Sequence, residues 1–155
     1  MYYIDKYKSK DLINLTSLFL QFSKIRIKDW NLPEIEDRKI IKEFISFLNS
    51  FKPVIFVIRK KDTDKIFWFI IARNSWQIAP YMYEYDSLYI AFVFVTPELQ
   101  WKGLSTKLFN EIEKYAKNNN YKNLVLHVAN DNSAKEIYQH LGFEPYYIKM
   151  KKKLV

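Results

Sequence analysis

The sequence predicts a mixed α/β fold with helices packed on a central sheet, in the order β-α-α-β-β-β-α-β-α-β. The first sign is a change of apolar period along the chain. Leu12, Leu15, Phe19 and Phe22 fall at helical spacing, whereas Tyr89 to Val95 is an unbroken β-branched and aromatic run. The second is the amount of core material: 49% of the 155 residues are apolar, which excludes a disordered chain. The third is continuity. No repeat, linker or low-complexity block interrupts the succession, so residues 1–155 read as one domain.

Tyr2 to Tyr7 alternates as a first strand, and Ser9 can cap the helix that follows. Pro33 marks the start of a second helix, with Glu34, Glu36 and Asp37 favouring its positive end. Ile41, Phe44, Ile45 and Leu48 are its expected inward face, and Pro53 ends it. Val54–Lys60 and Lys65–Arg73 are two strands joined by a turn of Lys61, Asp62, Thr63 and Asp64. Asn74 to Asp86 is a polar and aromatic connection. The buried strand Tyr89–Val95 comes next, stopped by Pro97. Leu104, Leu108, Ile112 and Tyr115 then mark one face of a helix ending in Asn118, Asn119 and Asn120. Asn123–Val128 is a short strand, and Ala134, Ile137, Tyr138 and Leu141 line a last helix. Gly142 suits that helix's C-terminus, and Phe143–Leu154 is expected as a closing strand.

Composition removes several function classes. There is no cysteine, so disulfides, thiol catalysis and thiolate metal sites are excluded. Two histidines without spaced partners form no metal constellation. Neither a signal peptide nor a long apolar span is visible, and a soluble cytoplasmic protein is expected, with no membrane partner. The formal charge of +8 would suit an anionic partner. The lysines are scattered, however, and only Lys149–Lys153 is a basic cluster. The aromatic residues Phe67, Trp68, Phe69, Tyr81, Tyr83 and Tyr85 lack any nucleic-acid motif, so a nucleic-acid-binding protein is the weakest alternative.

The chain is organised around residues 88–108. A strand ends in Val95-Thr96-Pro97, then Gln100-x-x-Gly103-x-Ser105 opens a helix. Glycine lets backbone N–H groups approach a ligand closely, and the first helical turn leaves such donors unpaired, which suits a phosphate. This stretch resembles the acetyl-CoA loop of the GCN5-related N-acetyltransferase (GNAT) superfamily, (Gln/Arg)-x-x-Gly-x-(Gly/Ala) after a strand ending Val-x-Pro. Ser105 departs from the pattern by carrying a Cβ. The element order is also similar to the superfamily's, so the resemblance covers the whole chain. It implies a twisted, mixed but mostly antiparallel sheet flanked by helices.

A second signature lies at residues 132–143. Ala134-x-x-x-Tyr138-x-x-x-Gly142-Phe143 matches the family's Ala-x-x-x-Tyr-x-x-x-Gly-Phe in register. The preceding Asn does not: Asn132 is one residue too close, with Asp131 in the expected place. Asn132 is the choice for a coenzyme contact, with Asn130 as the alternative. The resemblance makes Tyr138 a general acid that protonates the leaving coenzyme A thiolate. His127 sits on the preceding strand, where relatives that acetylate protein N-termini carry a Glu as general base. An imidazole titrates near neutrality and can accept the amine proton. Glu84, Tyr85 and Asp86 are other candidates on the acceptor side. His140 reads as a surface residue and Glu98 as poorly placed for a base.

The resemblance further assigns backbone groups of Val93, Phe94 and Val95 to the pantetheine arm and thioester. It assigns Gln100, Trp101, Lys102, Gly103, Leu104, Ser105 and Thr106 to the pyrophosphate. Lys102 and Lys107 can add charge, and Trp101 either covers the adenine or packs on a neighbouring helix. The implied activity is acetyl-CoA-dependent N-acetyl transfer to a primary amine, with acetyl-CoA as co-substrate. The alternative on the same fold is a non-catalytic acyl-CoA-binding or regulatory module. The acceptor, a small molecule or a protein amine, and the oligomeric state, a homodimer among the options, stay open.

Overall fold

A computed structural model describes residues 1–63, 65–75, 86–96, 103–146, 148 and 150–154. Its elements are β1 (Tyr2–Lys6), a 3-10 turn (Ser9–Asp11), α1 (Leu12–Asp29), α2 (Asp37–Phe51), β2 (Val54–Lys60), β3 (Ile66–Asn74), β4 (Ser87–Val95), α3 (Leu104–Asn118), β5 (Asn123–Leu126) and α4 (Ala134–His140). The strands form one sheet in the order β1-β2-β3-β4-β5. The first three pairings are antiparallel, and β4 with β5 is parallel. The expected mixed, mostly antiparallel sheet flanked by helices is therefore what the chain forms.

Each face of the sheet has its own core. On one, Ile58, Trp68, Ile70, Leu88 and Ile90 pack beneath Leu104, Leu108, Phe109 and Ile112 of α3. On the other, Ile55, Val57, Phe69, Ile71 and Phe94 meet Leu15, Phe19, Ile40 and Phe44 of α1 and α2. Phe19 stacks on Phe44 with ring centroids 3.8 Å apart, joining the two helices. Large rings bury much area for few torsions fixed, which suits a chain so rich in phenylalanine. Arg59 on β2 reaches through this layer to the start of α1. Its guanidinium lies 2.5 Å from Asp11 and 3.5 Å from Asp5, and Asp11 also accepts the Lys8 N–H at 2.8 Å.

Four expectations are corrected. Helix α2 starts at Asp37, because Glu36 at ψ 135° is still extended; Pro33 lies outside it. Its inward face is Ile40 and Phe44, and Ile45 is exposed, a rotation of one position from the expected stripe. On α4, Ile137 faces solvent, since this seven-residue helix turns only Ala134, Tyr138 and Leu141 toward its neighbours. The closing strand is absent from the described residues of 143–154. Pro145 lacks an N–H at its start, and Tyr146, Ile148, Met150 and Leu154 point into solvent instead of pairing.

Candidate functional site

β4 and β5 pair over four positions only, from Ser87↔Asn123 to Ile90↔Leu126. β5 then stops while β4 continues to Val95. Half the backbone groups of residues 91–95 turn away from β3, toward a side that no described strand occupies. Such groups need partners, and a ligand in this wedge that supplies hydrogen bonds along an edge can provide them.

A bulge sits at the opening. Ile71 pairs with Phe92 and Ala72 with Ile90, which leaves Ala91 as the extra residue of β4. The alternation of side chains is reset there. Leu88 and Ile90 point into the α3 core, Phe92 and Phe94 into the α1/α2 core, and Val93 and Val95 back toward α3. Val93, Phe94 and Val95 thus offer main chain to the wedge while their side chains anchor both cores.

Gly103 precedes α3 with φ 65°, a left-handed conformation that side-chain-bearing residues adopt reluctantly. An added Cβ would meet no atom within 4 Å, so the space before it is open. The N-cap Gly103 makes no side-chain cap bond, and among the described residues no carboxylate or hydroxyl takes up the first-turn donors of α3. Leu104 is buried and anchors the turn; Ser105 is half-buried, and Thr106 and Lys107 are exposed. Gln100, Trp101, Lys102, Glu98, Glu84 and Tyr85 lie outside the described residues.

Tyr138 is carried by α4 and packs on Phe109 of α3 (5.7 Å) and on Phe143 (6.1 Å). The Gly142-Phe143 signature has a mechanical explanation. Gly142 N–H bonds to the Gln139 carbonyl and Phe143 N–H to the Tyr138 carbonyl, both at 3.0 Å, with Gly142 at φ 89°. This is a Schellman stop, whose accompanying apolar contact is the Phe143–Tyr138 pair. Burial pushes the Tyr138 phenol above its ordinary value, with the Arg26 guanidinium acting weakly the other way. The phenol therefore keeps its proton at neutral pH, as a proton donor must.

Past the end of β5, His127 is exposed and meets Tyr89 of β4. Their ring centroids are 5.3 Å apart, and Nδ1 lies 3.4 Å from the Tyr89 hydroxyl. Tyr89 faces α2, so His127 and Tyr138 flank the wedge from opposite faces of the sheet. Asn132 has its side-chain oxygen committed, accepting the Ala134 N–H at 2.9 Å as α4 begins. Asn130 accepts a bond from Lys135 at 2.9 Å. Asp86 pairs with Lys122 at 3.2 Å, and its carbonyl accepts the Lys122 N–H at 2.7 Å just before β5. His140 is exposed, as expected.

A family profile described as an acetyltransferase (GNAT) domain matches residues 32–153. The chain belongs to the GNAT acetyltransferase family. Solved structures share its fold throughout. A Pyrococcus furiosus protein superposes with a TM-score of 0.81 at 19% identity, covering 99% of this chain and all of that one. An acetyltransferase of Trypanosoma brucei gives 0.68 at 14%, covering 99% and 100%. AAC(6')-Iy, in complex with the bisubstrate analogue CoA-S-monomethyl-acetylneamine, gives 0.71 at 16%, covering 99% of each chain. Among curated proteins, none matches the sequence.

Within this GNAT domain, the sequence gives no sign of Tyr89, which the sheet brings beside His127, or of Arg73, which lies beside Tyr89. Only strand register could have found them, because Tyr89 lies sixteen residues beyond Arg73 and 38 before His127. A groove of about 490 Å³ runs between α3 and the outer edge of β5, lined by Phe109, Glu113, Leu124 and Phe143 among others. None of the described coenzyme candidates lines it. No helix among the described residues is long and apolar enough to cross a membrane.

Proposed function

We propose that this GNAT domain is an acetyl-CoA-dependent N-acetyltransferase that moves an acetyl group directly to a primary amine. The observation that carries the reading is the wedge beyond Ile90↔Leu126, with Gly103 heading α3 on one side and Tyr138 and His127 on its two faces. A pantetheine arm is a chain of amides, and the free edge of residues 91–95 offers it strand-like partners. The open space before Gly103 admits a pyrophosphate to the uncapped N–H groups of α3, namely those of Ser105 and Thr106. Asn132 accepts the Ala134 N–H through its side-chain oxygen, which leaves both N–H groups of its side-chain NH₂ to donate to the coenzyme.

The reaction needs the amine neutral, an oxyanion held and the leaving sulfur protonated. A lysine-like amine has a pKa of about 10.4 and an α-amine one near 8, so both need a base at neutral pH. One proton of the ammonium goes to solvent, and His127 takes a second as the neutral amine nitrogen bonds to the thioester carbon. A β4 main-chain N–H holds the oxygen as the carbonyl becomes tetrahedral. The carbon–sulfur bond then breaks, and the Tyr138 hydroxyl gives its proton to the departing thiolate. Proton return from His127 through water restores Tyr138, and no covalent enzyme intermediate is required.

Calorimetric titration with acetyl-CoA at physiological salt tests the reading, followed by turnover on a panel of amines. Binding that collapses in Gly103→Glu, with amine-dependent release of coenzyme A, is the expected result. Tight binding without turnover on any amine would instead favour an acyl-CoA-binding module. Absence of binding would refute both.

A further inference from the structure

The chain has two half-buried or buried strand arginines, and it treats them differently. Arg59 has Asp11 and Asp5 within 3.5 Å. Arg73, on the same face of the sheet, has no carboxylate among the described residues. Its Nη1 donates only to the adjacent Asn74 carbonyl at 3.4 Å, and its Nε is buried without an acceptor. Its guanidinium carbon instead lies between two rings, 4.3 Å from the centroid of Phe51 and 5.2 Å from that of Tyr89. Aromatic faces hold a cation in place but accept none of its five in-plane N–H groups. Burial weakens the guanidinium's hold on its proton, with the Tyr89 hydroxyl acting the other way. A cation partly stripped of water, fixed in orientation and short of acceptors is a site built for a planar anion.

Its location gives the anion an address. Arg73 pairs with Tyr89 across β3 and β4, and Tyr89 meets His127 past the end of β5. The three side chains thus form a line across the sheet that ends at the wedge. Tyr89 is opposite Val125, two residues before His127. Two strand spacings and two residues of rise put the Arg73 and His127 backbones roughly 12 Å apart. The Tyr89 ring lies between the two side chains, 5.2 Å from the guanidinium carbon and 5.3 Å from the imidazole by centroid, so an acceptor that reaches both lies over that ring. With no carboxylate partner among the described residues, this guanidinium also repels a polycationic amine, so the same residue selects against that class of acceptor.

We propose that Arg73 binds the carboxylate of the acceptor, and that the acceptor is therefore a small amino-carboxylate, a free amino acid or a compound of that class. The inference rests on the transferase reading above. It deepens that reading by naming the chemistry of the second substrate.

The test compares amines that differ only by the carboxylate: L-lysine with cadaverine, L-phenylalanine with phenethylamine, and L-alanine with ethylamine. Coenzyme A release is followed with a thiol reagent, for which a protein without cysteine gives no background. In at least one pair the carboxylate member should have a kcat/KM about tenfold or more above its partner, as for loss of a hydrogen-bonded ion pair. Arg73→Met keeps an apolar stem between Phe51 and Tyr89 and should abolish that preference by lowering only the carboxylate member. Arg73→Lys should retain part of it. The proposal is overturned if the decarboxylated amines are used as well in every pair, or if Arg73→Met slows both members equally. It is also overturned if acetyl-CoA binds and none of the six amines is acetylated, while the acyl-CoA reading then survives. Failure of acetyl-CoA to bind would instead remove the transferase reading beneath it.

Discussion

The two glycines of this chain allow a matched experiment on the coenzyme. Both sit at positive φ, Gly103 at 65° and Gly142 at 89°, and at both a new Cβ would meet nothing within 4 Å. Replacing either with alanine therefore costs backbone strain without a clash, about 1–2 kcal/mol for a left-handed residue. For a chain of this size that lowers the melting temperature by about 2–8 °C. The variants should part company on acetyl-CoA. Gly103→Ala places a methyl in the space a phosphate needs and disturbs at least one charge-assisted N–H bond, worth about 1.5–3 kcal/mol. Calorimetry should then show at least a tenfold loss of affinity, against less than about threefold for Gly142→Ala. Gly103→Asn is the decisive third arm, because asparagine tolerates left-handed backbone, as Asn31 and Asn120 do here. It should recover most of the stability and none of the binding. If Gly103→Ala and Gly103→Asn bind acetyl-CoA like the parent, the phosphates do not sit at this turn.

Other residues give separate tests. Tyr138→Phe should lower kcat by about 10²–10⁴-fold, with acetyl-CoA affinity nearly unchanged by calorimetry; undiminished turnover would end its role as acid. Because the Tyr138 phenol is raised by burial, the folded chain holds that proton through pH 10 and upward. Activity should accordingly stay intact to pH 10 and fall only above it, and the stability that the neutral phenol contributes is lost over the same alkaline window. An activity loss centred below pH 9 with the fold intact by circular dichroism would contradict this. His127→Ala should slow turnover without weakening acetyl-CoA binding, and added imidazole should restore part of the rate; no rescue and no slowing would exclude it as the base. Asp11→Ala strips Arg59, only 2% exposed, of its closest carboxylate. Urea denaturation should show about 3–5 kcal/mol of destabilisation, reduced somewhat because Asp5 remains; a loss under 1 kcal/mol would mean the pair is dispensable.

What could be read in the sequence followed from local rules. The strands β2 and β3 and the helices α3 and α4 announce themselves by period and by the glycines that bound them. Gly142 could be assigned to a helix stop from its position after Leu141, and the ring contact between Tyr138 and Phe143 explains why an aromatic residue follows it. Residues whose roles depend on pairing were not legible. Ala91 looks like any strand residue, and only the neighbouring register makes it a bulge. Arg73, Tyr89 and His127 are brought together by three strands, one of them parallel, so no spacing rule connects them. The expected closing strand failed for the opposite reason. Tyr146, Ile148 and Met150 alternate as a strand should, but alternation records suitability for a sheet and cannot provide the partner edge.

The extra residue in β4 has a consequence for how this strand tolerates change. Downstream of Ala91, Phe92 and Phe94 belong to one core and Val93 and Val95 to the other. Were that single small residue to pair as an ordinary strand position instead of bulging, the assignment would invert, driving two phenylalanines beneath α3 and two valines beneath α1 and α2. The volumes do not match on either side, so one core would be overfilled and the other left hollow. An alanine with almost no side chain of its own thereby sets the orientation of every residue between it and the end of the strand.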